Sequence, residues 1–130
     1  AAKLNCDGCH IGQKDLSIQQ TKQIMKSNKI IGVTCHNSKE LALSAEKYGA
    51  SYLAFGSFFK TKTKKTKFKA NPKLLQWAHK NLKTPVVAIG GINEENYKLL
   101  LQNGAKYIAC SSYIWKNSKY NPLKALNQLK

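Results

Sequence analysis

Short apolar runs, each followed by an amphipathic stretch, recur along this chain and restrict its fold more than any other feature. The runs are Gly8 to Ile11, Ile30 to Thr34, Tyr52 to Gly56, Pro85 to Gly90 and Tyr107 to Ser111, each short and apolar enough to be a parallel strand buried on both faces. Helical spacing fills the gaps. Leu16 to Lys26 directs Ile18, Ile24 and Met25 to a core, and Asn37 to Tyr48 opens with Asn37 and Glu40 at capping-box spacing and stops at Gly49. Asn71 to Asn81 carries Leu74, Leu75, Trp77 and Ala78 on one face. Asn93 to Asn103 carries Tyr97, Leu100 and Leu101 and ends at Gly104, and a last helix covers Pro122 to Leu129. Such alternation predicts an α/β fold on a parallel sheet with right-handed crossovers.

Length sharpens that expectation. The 130 residues fit one domain, whereas a complete eight-stranded β/α barrel takes about 250 residues, or about 200 at the lower limit. The prediction is a single domain over 1–130 made of parallel β/α units of a TIM-type barrel that is incomplete, with about five of the eight units present and the first strands missing. The start at Ala1 without Met fits either ordinary Met removal or an absent N-terminal segment.

The formal charge of +16 would draw a polyanion. All 22 basic residues are Lys, however, and none is Arg, the side chain whose planar fork suits bidentate contacts to phosphate and guanine. The lysines are spread over helices and loops, so the expectation is a solvated basic surface that attracts small anions, with no nucleic-acid partner. No run reaches the roughly 18 apolar residues of a membrane span and no signal-peptide core opens the chain, so no membrane partner and a cytoplasmic location are expected. Cys6, Cys9, Cys35 and Cys110 are too few and too irregularly spaced for a disulfide framework.

The run CDGCH at Cys6 to His10 has the spacing of a haem attachment site and of half a zinc or redox motif. Its context argues against each: no second ligand pair follows, and the chain continues as CHIGQKD, a short strand and polar turn in place of a helix.

In parallel β/α folds the loops at the carboxyl ends of the strands carry function. Asp15 follows the first strand and could serve a hard cation such as Mg²⁺. Thr34, Cys35 and His36 end the second. The third leads into SFFKTKTKKTKFK at Ser57 to Lys69, where Thr61, Thr63 and Lys64 offer hydroxyls and an ammonium to phosphate or pyrophosphate. The fourth runs into Gly90 and Gly91, with Asn93 suited to open a helix. This is either a phosphate cradle of close backbone and helix N–H groups or a glycine turn needed for packing. The fifth ends in Ser111 and Ser112, beside that turn, where barrels commonly hold a phosphate.

The series DGCHIGQKDL, IIGVTCHN, GASYLAFGSFFKTKTK, TPVVAIGGI and GAKYIACSSYIW resembles the C-terminal part of the thiamine phosphate synthase family, motif after motif and in order, over nearly the whole chain. The resemblance implies a transferase that joins an aminopyrimidine methyl diphosphate to a thiazole phosphate, releasing pyrophosphate. By motif it implies Asp15 as a Mg²⁺ ligand, Thr34 in contact with the pyrophosphate or pyrimidine, and Lys64 on the leaving pyrophosphate. Thr61, Thr63, the Gly91 backbone, Ser111 and Ser112 are implied for the thiazole phosphate. The partners are then phosphorylated small molecules.

Three departures qualify the match. The family's Q-x-R-x-K strand and N-D metal pair are absent from this chain, which has no Arg, so the chain alone is expected to lack part of its site. Lys60 stands where the family generally has Pro, and Thr34 adds a methyl to the family's usual Ser. The alternatives are a thiazole tautomerase-like enzyme, with His36 as the proton carrier, and a non-catalytic phosphate-binding partial barrel. A homo-oligomer or a missing N-terminal segment would cover the exposed sheet edge.

Overall fold

A computed structural model describes residues 1–26, 28–61 and 67–130. Five parallel strands, β1 (Gly8–Ile11), β2 (Ile30–His36), β3 (Tyr52–Gly56), β4 (Val86–Ile89) and β5 (Tyr107–Ala109), form one sheet in the order β1-β2-β3-β4-β5. Helices α1 (Ile18–Met25), α2 (Lys39–Lys47), α3 (Pro72–Asn81) and α4 (Tyr97–Gln102) connect them in turn, and α5 (Ser112–Trp115) and α6 (Pro122–Asn127) follow β5. The chain therefore forms consecutive β/α units of a TIM-type architecture, curtailed at five strands among the described residues. All carboxyl ends lie on one edge, as parallel pairing requires.

Alternation along the strands divides the sheet into two unlike faces. Ile11, Ile31, Val33, Leu53, Phe55, Val86 and Ala88 point to the helices and join Ile18, Ala42, Leu75, Ala78 and Leu100 in the buried core. Residues one step along the strands point the other way, toward what would be the inside of a closed barrel. There Ile30 is 53 % and Tyr107 55 % exposed, so the inner face is open while the outer face is a packed core. At matched register across this inner face stand His10, Gly32 and Tyr52, and then Thr34, Ala54, Val87 and Tyr107.

Helix boundaries depart from the sequence reading in informative ways. Ser38, rather than Asn37, caps α2: its Oγ accepts the Leu41 N–H at 3.1 Å. Asn37 instead donates from Nδ2 to the Lys69 carbonyl at 3.1 Å, across to the far end of the β3 loop. In α1, Thr21 takes an inward position while Ile24 is exposed; its hydroxyl donates to the Ser17 carbonyl, which makes the inward turn tolerable. Helix α4 starts at Tyr97, not Asn93, because Asn93 and Asn96 fold the preceding residues into a side-chain-bonded turn. Leu101 then faces solvent, and Tyr97 and Leu100 carry the buried contact. Gly49 and Gly104, both at positive φ, terminate α2 and α4 as read.

Candidate active site

The carboxyl edge is assembled strand by strand. After β1 the chain turns tightly, with the Asp15 Oδ2 accepting the Gly12 N–H at 2.7 Å. Gln13 in the same turn donates from Nε2 to the Thr34 carbonyl, which brings the Asp15 turn beside the end of β2. The Asp15 side chain is exposed and keeps one oxygen for a cation. Mg²⁺ commonly takes one or two carboxylates and completes its shell with water and substrate phosphates. Among the described residues no group of three or more His, Cys, Asp or Glu could hold a metal ion. The donor set therefore fits Mg²⁺ that arrives with a phosphate better than a caged ion.

At the end of β2 the row Thr34, Cys35 and His36 splits up. The register against β3 slips between Thr34 and His36, a bulge that re-aims the strand end. Cys35 turns into the core, fully buried, where desolvation pushes its thiol up to about 12. It is a protonated packing group rather than a nucleophile. His36 takes a left-handed φ of 52° and stacks on Phe68 with ring centroids 4.0 Å apart. Thr34 keeps its hydroxyl on the inner face. Its Oγ1 lies 2.8 Å from His10 Nε2, and His10 Nδ1 lies 3.0 Å from the Tyr52 hydroxyl. Burial lowers the His10 pKa below its ordinary value, with Asp15 opposing in part.

The loop after β3 closes on itself and on β4. Ser57 and Ala70 bond across its base, Ser57 N–H to Phe68 O at 3.2 Å and Ala70 N–H to Ser57 O at 2.9 Å. Phe58 and Phe59 continue the pairing with β4, donating to Ile89 and Gly90 carbonyls. Here the glycine pair finds its reason: Gly90 and Gly91 have φ of 103° and 67°. A Cβ on Gly91 would stand 2.5 Å from the Lys60 carbonyl oxygen, and one on Gly90 would stand 2.3 Å from the Ser57 Cβ. The space the glycines leave is filled by the neighbouring loop, so packing accounts for both. What Gly91 can offer an anion is its backbone. The expected helix N-terminus at Asn93 is not available either: its N–H goes to Asn96 Oδ1 and that of Glu95 to Asn93 Oδ1.

Ser111 and Ser112 follow β5 where α5 begins, with Ser111 exposed. The Tyr113 hydroxyl donates to Glu94 Oε2 at 2.9 Å, tying α5 to the turn after β4. Asp15, Thr34, Thr61, Gly91, Ser111 and Ser112 thus sit along one edge, in strand order. Thr63 and Lys64 lie outside the described residues. The Cys6 to His10 run does not converge, since Cys9 packs on the core while His10 faces the opposite side. Sequence reasoning passed over His10 and Tyr52 as site residues; strand alternation, which sets His10, Thr34 and Tyr52 on one face, was the signal for them.

The chain matches the family model described as thiamine monophosphate synthase over residues 1–114. It is 55 % identical over its full length to the thiamine-phosphate synthase of Pelagibacter ubique, covering 62 % of that protein. With the thiamine-phosphate synthase of Rhodospirillum centenum it shares 43 % identity over 90 % of its length and 56 % of the relative's. Among solved structures, the thiamine phosphate pyrophosphorylase of Pyrococcus furiosus superposes with a TM-score of 0.84 at 36 % identity, over 97 % of this chain and 58 % of that one. A 3-hexulose-6-phosphate synthase at 17 % identity and a TM-score of 0.67 shares the fold. The chain spans less than two thirds of the length of these curated relatives.

Proposed function

The chain belongs to the thiamine monophosphate synthase family, and from that premise we propose that it furnishes the carboxyl-edge part of a thiamine phosphate synthase active site. The reaction joins 4-amino-2-methyl-5-pyrimidinylmethyl diphosphate to 4-methyl-5-(2-phosphoethyl)thiazole, giving thiamine phosphate and pyrophosphate. The observation that carries the reading is the alignment, in strand order on one sheet edge, of Asp15, Thr34, Thr61, the Gly90–Gly91 turn and the Ser111–Ser112 pair.

A departing pyrophosphate needs fixed positive charge and donors more than a strong base. In this reading Lys64 meets the leaving pyrophosphate and the Thr34 hydroxyl contacts it or the pyrimidine. Thr61 and Thr63, with the Gly91 backbone, Ser111 and Ser112, hold the thiazole phosphate so that its ring nitrogen faces the pyrimidine carbon. Asp15 holds Mg²⁺, which neutralises pyrophosphate charge when bound. The many lysines raise the local concentration of such anions. Among the described residues no helix is long and apolar enough to cross a membrane; the proposal places the enzyme in the cytoplasm, acting on small phosphorylated molecules.

The direct test is formation of thiamine phosphate from both substrates with Mg²⁺. Activity is expected where this chain is joined to a segment bearing Q-x-R-x-K and N-D, and no turnover is expected from the 130 residues alone, which contain no Arg. Isomerisation of a thiazole carboxylate phosphate without any coupling product would replace the synthase reading with the tautomerase one.

A further inference from the structure

Three strands contribute to one hydrogen-bonded chain on the inner face: Tyr52 from β3, His10 from β1 and Thr34 from β2. Its assembly depends on a glycine. Gly32 lies level with His10 on one side and Tyr52 on the other, and a Cβ there would stand 2.0 Å from the Tyr52 ring. The tyrosine therefore leans over β2 through the space left by Gly32 and stacks with His10 at 5.5 Å between ring centroids.

We propose that His10 is a positioning residue for Thr34: Tyr52 donates its phenolic proton to Nδ1, Nε2–H donates to Thr34 Oγ1, and the Thr34 hydroxyl proton is thereby aimed at the anionic substrate. The direction follows from the chemistry of the three groups. A neutral imidazole carries one proton and must accept at the other nitrogen. The phenol is the more acidic of the two hydroxyls and the better donor, while the threonine oxygen is the better acceptor. An acceptor role for Thr34 toward His10 leaves its own proton for a phosphate or pyrimidine acceptor. The reversed chain would spend that proton on His10 and present lone pairs to an anion. Burial lowers the His10 pKa and so favours the neutral form this polarity requires.

The inference rests on the synthase reading for its substrate, but its first test does not. Long-range ¹⁵N–¹H correlation spectra of the 130-residue chain without substrates are expected to show His10 with Nε2 protonated and Nδ1 bare. Tyr52→Phe is expected to raise the population of the Nδ1–H form. An Nδ1–H tautomer in the wild-type chain overturns the proposal whatever the enzyme turns out to do.

The second test uses the chain within an active synthase. His10→Leu should lower kcat/KM for the pyrimidine diphosphate by about tenfold, the weight of one hydrogen bond, with KM for the thiazole phosphate unchanged. His10→Gln, whose amide N–H can replace Nε2–H, should recover most of the loss. Adding His10→Leu to Thr34→Val should cost nothing more. Equal losses with both substrates, no recovery in the glutamine variant, or additive losses would each overturn the positioning role. Absence of thiamine phosphate in the wild-type assay would sink the synthase reading and leave the tautomer result standing.

Discussion

Glu46 connects the end of α2 to the turn before β4. Its Oε1 accepts the N–H groups of Lys83 at 2.7 Å and Thr84 at 2.6 Å. Burial acts to raise the pKa of this carboxyl, but the donated hydrogen bonds and the Lys83 charge outweigh it and hold the pKa below its ordinary 4.5. A carboxyl depressed in the folded state contributes stability above its unfolded pKa and loses it as pH falls through the folded value. Denaturant unfolding followed from about pH 5 to about pH 3 should therefore show a steeper loss in the wild type than in Glu46→Gln. Parallel curves would contradict the assignment. At this scale the sequence was only partly legible. Thr34, Cys35 and His36 read as three consecutive groups at a strand end, yet Cys35 follows Ile31 and Val33 into the core by alternation, and the β2 bulge leaves His36 on Phe68. Period-two spacing could have foretold Cys35, whereas the bulge that displaces His36 belongs to the pairing with β3 and has no local pattern. Nor could Gly32 be linked to Tyr52 before the register of their strands was known.

Elements were more legible than residues, because length and apolar content suffice to mark a buried strand. Strands β1 and β3 coincide with the runs that predicted them, while β2 extends two residues beyond its run and β4 and β5 are shorter than theirs. Helix starts were harder wherever several polar residues compete for the cap. In Asn37-Ser38-Lys39-Glu40 the spacing favoured Asn37, but the chain uses Ser38, whose hydroxyl also donates to Glu40 Oε2 at 2.7 Å. Asn37 is thereby released to bond the Lys69 carbonyl. Ser38→Ala should cost about 1 kcal/mol of stability, as loss of a cap does. Asn37→Ala should leave α2 intact and speed proteolysis of the β3 loop, measured by limited digestion. The reverse pattern would restore Asn37 as the cap. Helix α5 had no forecast at all, since Ser112 to Trp115 is a single turn whose four residues show no period.

For the molecule as a whole, charge and topology set the behaviour. With 22 basic residues against 6 acidic ones, self-repulsion opposes compaction and is screened by salt. The melting temperature is expected to rise by a few degrees between about 20 mM and about 500 mM NaCl, and a fall would show that specific ion pairs matter more than the net charge. The parallel α/β plan was legible from alternation and the curtailed barrel from length, whereas the unequal burial of the two sheet faces appeared only with coordinates. The strand order β1-β2-β3-β4-β5 follows the order of synthesis. Each strand can thus dock on the one made just before it, so the sheet can grow vectorially as the polypeptide emerges. No later strand has to thread between two that are already paired, so each unit can add to the edge left by the one before it.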